Sequence, residues 1–163
     1  MTQQQPFYGK YRGVVSDNRD PLMLGRIRAK VQDIFGDRES GWAMPCVPYA
    51  GDGVGLYLIP PTGTSVWIEF EQGDPERPIW SGCFWAVGEV PAQPAAAEMK
   101  VLKTETATIT LNDTPGLGGI TIELDGGGKI SLTNTGIEIA AGSGTVAING
   151  TQVSLNNGAL EVT

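Results

Sequence analysis

From Thr104 to Thr163 the large apolar residues fall mostly into couplets two positions apart: Ile109/Leu111, Ile120/Ile122, Ile130/Leu132, Ile137/Ile139, Val146/Ile148, Val153/Leu155 and Leu160/Val162. A period of two belongs to strands, whose successive side chains point to opposite faces. Glycine, asparagine, aspartate and serine separate the couplets, which from Ile130 onward begin at intervals of 7, 9, 7 and 7 residues. That interval is short for ordinary hairpin strands with loops, and it predicts a chain turning corners, as in a β-helix. A lone chain of this kind would leave its apolar stripe and strand edges in water. The reading is therefore an intertwined three-chain β-helical prism over 104–163, with the twelve couplet residues from Ile109 to Leu155 as the trimer core. At ~4.8 Å per strand it would rise roughly 30–35 Å.

Residues 11–88 carry a different pattern. Strand-prone runs at Tyr11–Val15, Gly25–Gln32, Trp42–Val47, Gly55–Ile59, Ser65–Glu71 and Pro78–Trp85 alternate with turn residues. Val66, Ile68 and Phe70 share one face with Trp67 opposite, and Ile27, Ala29 and Val31 oppose Arg26, Arg28 and Lys30. Strands wetted on one side, five or six within about 75 residues, fit a small Greek-key barrel such as an OB fold. The whole is expected to be all-β: an N-terminal arm over 1–10, the barrel over 11–88, a Pro- and Ala-rich linker over 89–103 and the shaft over 104–163.

Composition marks the same division. All 12 aromatic residues lie at or before Trp85, and of 11 prolines only Pro115 lies beyond Pro94. The net charge of −7 divides into −3 before residue 91 and −4 after it, so no basic arm is concealed and nucleic acid is disfavoured as a partner. With no histidine, His-dependent triads and His-ligated metals are excluded within this chain. Cys46 and Cys83 form no CxxC pair and read as buried free thiols, with a disulfide as the alternative. No run approaches the ~20 apolar residues of a membrane span, and Met1–Gln5 lacks signal-peptide character, so the chain is expected to be made in a cytosol.

Gly13-Val-Val15, Asp20-Pro21, Gly25-Arg-Ile-Arg-Ala-Lys-Val31, Trp42, Pro48-Tyr-Ala-Gly51, Gly51-Asp-Gly-Val-Gly55, Pro60-Pro-Thr-Gly63, Val66-Trp-Ile-Glu-Phe70 and Gly73-Asp-Pro-Glu-Arg-Pro-Ile79 followed by Gly82 resemble, in order, a known domain. It is the OB domain of the phage baseplate assembly protein V family, which includes contractile-tail central spikes and the matching part of type VI secretion VgrG proteins. The resemblance covers roughly residues 11–85. It implies a trimer with the barrels as a collar and a β-helix pointing at the target envelope, made in the producer cytoplasm and carried in a virion tail baseplate or injection particle. It also implies a baseplate hub partner, for which Phe7, Tyr8 and Tyr11 are the candidate contacts. At the other end Leu160, Val162 and Thr163 would meet a small conical tip protein of the PAAR-repeat type, or close by packing among themselves. Some members carry an inserted lysozyme domain or a large hub region, which here are expected on other chains. Others bind iron through His-x-His, which this chain cannot do, so no cofactor or metal is expected.

Other motifs carry less. Gly126-Gly-Gly-Lys129 lacks the glycine and the Ser/Thr of a phosphate loop, and Gly116-Leu-Gly-Gly119 lacks dinucleotide-loop spacing. The Asn112 and Asn149 sequons mean little without a secretion signal. Asp113, Glu123, Asp125 and Glu138 could supply paired acids only in a groove, and read as a solvated face. Arg26, Asp74 and Arg77 read as fold determinants. The expected function is a non-enzymatic, mechanical spike. The alternatives are an OB nucleic-acid binder and a β-helical receptor-binding or polysaccharide-acting fibre.

Overall fold

A computed structural model describes residues 6–162, with the backbone alone of Glu161. The chain separates into two compact units, dividing between Gly88 and Glu89.

In the first unit β1 (Tyr11–Asp17), β2 (Arg28–Lys30), α1 (Gln32–Phe35), β3 (Met44–Pro45), β4 (Ala50–Gly51), β5 (Val54–Gly55), β6 (Ser65–Phe70) and β7 (Pro78–Cys83) follow in order. Five strands curl into one sheet ordered β2-β1-β6-β7-β3, antiparallel except where β3 runs parallel to β7. Alternation built this core: Val66, Ile68 and Phe70 are buried from one face of β6, and Ile27, Ala29 and Val31 from the edge across β1. Trp80 joins them and donates its indole N–H to the Gly25 carbonyl at 3.1 Å. Of the run Gly55–Ile59, read as a full strand, only Gly55 belongs to one, in the two-residue ladder of Val54–Gly55 with Ala50–Gly51, and Leu56 adds one backbone bond to the Tyr49 carbonyl. α1, which the sequence reading did not foresee, is one turn following Val31.

In the second unit β8 (Met99–Lys103), β9 (Ala107–Asn112), β10 (Gly119–Leu124), β11 (Gly128–Thr133), β12 (Gly136–Ala141), β13 (Gly144–Asn149), β14 (Gln152–Leu155) and β15 (Leu160–Val162) form one antiparallel sheet in chain order. The short couplet interval is met by tight hairpins rather than corners. Gly142 and Gly150 each take a φ of 59°, a positive φ that two-residue hairpin turns favour at their first central position. Such a turn leaves about six residues for each strand. Met99–Lys103, read as linker, is the first strand, because Val101 and Leu102 continue the ladder against Thr110 and Ile109.

Candidate functional site

Register decides what the sheet presents. Leu111 faces Ile120, which faces Leu132, then Ile137, Ile148, Val153 and Val162. A second row joins Leu102, Ile109, Ile122, Ile130, Ile139, Val146, Leu155 and Leu160. All fourteen couplet side chains thus stand on one face, and ten of them keep between 38 and 62 % of their surface exposed in the single chain. Every fully buried hydrophobic residue among those described lies in the first unit. From β9 to β15 the sheet therefore presents an apolar face that no described residue of this unit buries.

On the other face the connector lies beside β8, β9 and β10 only. Glu89, Val90, Pro91 and Gln93 bound a recess of about 540 Å³ with Met99, Val101, Lys103, Thr108, Thr110 and Glu123. These strand residues alternate with the couplets and point away from them. The remainder of that face is polar or small, with Thr121 opposite Ser131, Ser131 opposite Glu138, and Glu138 opposite Ala147.

Leu160 and Val162, on edge strand β15, are 56 and 62 % exposed. Thr163, the third candidate tip residue, lies outside the described residues. The candidate hub residues separate. Phe7 and Tyr11 turn their rings onto Phe70 at centroid distances of 6.3 and 5.5 Å, closing the end of the barrel core, while Tyr8 is 71 % exposed. Phe7 is anchored through its backbone N–H, which donates to the Gly73 carbonyl at 2.8 Å. Two of the three are thus barrel core aromatics, because a small sheet needs rings from the arm to close its end.

Asp20 organises the loop before β2. Its carboxylate accepts from the backbone N–H groups of Leu22, Leu24 and Arg26 at 3.0, 2.8 and 3.2 Å, and from the Arg26 guanidinium. The Arg26 bond, with the backbone donors, holds the Asp20 carboxyl far below the usual carboxylate range and pushes the Arg26 pKa up. This rigid loop displays Leu22, Met23 and Leu24, all exposed. Leu24 also lines a 340 Å³ apolar recess with Val47, Val54, Leu56, Tyr57 and Ile59. Sequence reasoning missed this apolar barrel end; three successive large apolar residues behind a turn were its signal.

The charged candidates are spent on structure. Asp74 accepts from the Glu76 N–H at 3.0 Å inside a turn, and Arg77 pairs with Glu71 at 3.0 Å on the surface. Lys129 pairs with Glu123 across a hairpin at 3.4 Å on an open sheet. Arg12 lies over Trp67 and Phe84, and Arg28 over Trp42, at 4.9–5.4 Å. Cys46 and Cys83 are free but exposed rather than buried, since each sits at a sheet margin. Partial desolvation nevertheless raises the Cys83 thiol pKa.

Comparison with known proteins matches both units. Residues 11–85 match the type VI secretion system/phage-baseplate injector OB domain, and residues 99–161 match the phage baseplate V C-terminal trimerisation domain. The chain is also similar to the type VI secretion system spike protein VgrG4b of Pseudomonas aeruginosa, with 32% identity over 82 residues. That alignment spans 50% of this chain and 10% of the relative.

Proposed function

Because the chain belongs to the phage baseplate V family of injector spike proteins, we propose that it is the non-enzymatic central spike of a contractile tail or related injection machine. Three copies pack their couplet faces together, and the resulting prism is driven through the target envelope when the machine contracts. The observation that carries this reading is the apolar face, complete from β9 to β15 and bare in the single chain.

Burying the exposed half of an Ile, Leu or Val contributes on the order of 1 kcal/mol. Ten such side chains from each of three copies outweigh the roughly 4–15 kcal/mol lost on each association step. Eight strands stacked at ~4.8 Å give a column about 34 Å tall. In this reading the barrels face the baseplate hub through Tyr8 and the neighbouring surface, and β15 with Leu160 and Val162 meets a separate tip protein. The finished protein resides in the tail or injection particle.

Sedimentation equilibrium on the full chain tests the assembly. The expected mass is three times the 17.2 kDa of one chain, and a stable monomer would sink the proposal. Antibody labelling of purified particles tests the location. The expected label lies at the baseplate end, and label elsewhere on the particle counts against a spike.

A further inference from the structure

Two nearly uninterrupted rows of Ile, Leu and Val specify that copies associate, but not at what relative height. Sliding one sheet by two strands, about 9.6 Å, restores strand direction and again sets aliphatic side chains against aliphatic side chains. The couplet face, however, breaks its own repeat in two places.

The first break is at the β8 end. The row that runs on through Leu111, Ile120 and Leu132 begins with Lys100, which pairs in register with Leu111. Its ammonium bonds the carboxylate of Asp113, just past the end of β9. Lys100 is the only charged residue in either row. The second break flanks the row that contains Leu102. There the next position on successive strands is small, as at Ala107, Gly128, Ala141 and Gly144, except at Leu124. Leu124 is 56 % exposed, and a methyl group placed on Gly128 would stand 3.3 Å from its side chain. Leu124 thus leans over an empty position in an otherwise shallow row.

We infer that Leu124 and the Lys100–Asp113 ion pair set the axial register in which three copies of this face pack. The inference rests on the trimer proposed above. In register, three identical ion pairs meet at one wet end of the column and the three Leu124 side chains lie at one height. A copy displaced by two strands sets its ion pair against the aliphatic rows of its neighbours, where an unshared charge is costly to desolvate. It also drives Leu124 against small positions that receive no such side chain in register. A single polar exception within a repetitive apolar interface specifies register in the same way in coiled coils.

Disulfide trapping in the full chain tests this. In a Cys46→Ser/Cys83→Ser background, one tagged chain carries Ile137→Cys and a second, differently tagged, carries Val153→Cys; the two are refolded together and oxidised. Positions 137 and 153 share a row two strands apart, beyond disulfide reach when copies are in register. Like pairs are expected to dominate. Adding Lys100→Leu, Asp113→Leu and Leu124→Ala is expected to raise unlike pairs about tenfold while the mass stays trimeric. Leu124→Ala alone removes only an exposed side chain, and gives a smaller rise in the same direction; it decides the matter if the triple variant does not assemble. Trimers whose unlike pairs stay at the unsubstituted level in both variants overturn the register inference alone. A monomeric unsubstituted chain overturns the trimer and the inference with it.

Discussion

Arg26 meets Asp20 through both its Nε, at 3.1 Å, and a terminal nitrogen, at 2.6 Å, and the paired side chains are only 15 and 4 % exposed. The same carboxylate ties down three backbone N–H groups, so one side chain fixes the entry of the chain into β2.

Asp20→Asn should therefore lower the thermal midpoint of the barrel by several degrees at neutral pH. A carboxyl whose folded pKa is depressed contributes stability above the unfolded value near 3.9, and loses it as pH falls through the folded value. The gap between native and variant should accordingly be full at pH 7 and shrink below about pH 4. A gap that is constant with pH would show that the ionised form is not what matters.

The arm aromatics should divide by role. Phe7→Ala opens the ring cluster around Phe70 and should cost about 2 kcal/mol in urea unfolding of the barrel, roughly half the loss of a fully buried ring. Tyr8→Ala should leave that transition within about 0.5 kcal/mol. Equal losses would mean that Tyr8 is structural as well.

Neighbouring positions on β12 give a contrast between faces. Ile139→Lys puts a charge on the couplet face and should reduce the sedimentation mass below that of a trimer, whereas Glu138→Lys on the opposite face should leave it unchanged. Loss of trimer from Glu138→Lys would place the interface on the wrong side of the sheet.

Close backbone approach makes Gly136 hard to replace. A Cβ there would stand 2.2 Å from the Ile148 carbonyl oxygen, so Gly136→Ala should destabilise the sheet by about 1–3 kcal/mol in denaturant titration. Gly142 has open space but a φ of 59° that L side chains rarely adopt, so Gly142→Ala should cost about 1–2 kcal/mol through backbone strain alone. Tolerance of Gly136→Ala would contradict the tight crossing of β12 and β13.

Much of this was legible in alternation. Val66, Ile68 and Phe70, and each of the seven couplets, occupy the face that a period of two assigns them. What alternation cannot report is how a chain reverses. A two-residue turn opened by a glycine at positive φ, as at Gly142 and Gly150, makes a hairpin as compact as a corner, so the couplet interval alone did not separate a meander from a wrapped helix. Lys100 and Leu102 were hidden for a related reason: with one partner strand and a lysine in the row, β8 looks like connector until its register with β9 is known. Phe7 and Tyr11 were legible as conspicuous aromatics, but whether a ring faces outward or closes a barrel depends on a core that local sequence does not describe.

Every strand of the second sheet pairs only with its immediate neighbours in the chain. Contact order is consequently low there, and each hairpin can form before the next has been synthesised. The same topology makes length a modular quantity. Inserting or deleting one two-strand unit preserves strand direction and face, and changes the height of the column by about 9.6 Å, so spikes of different reach can evolve from this sheet by counting hairpins.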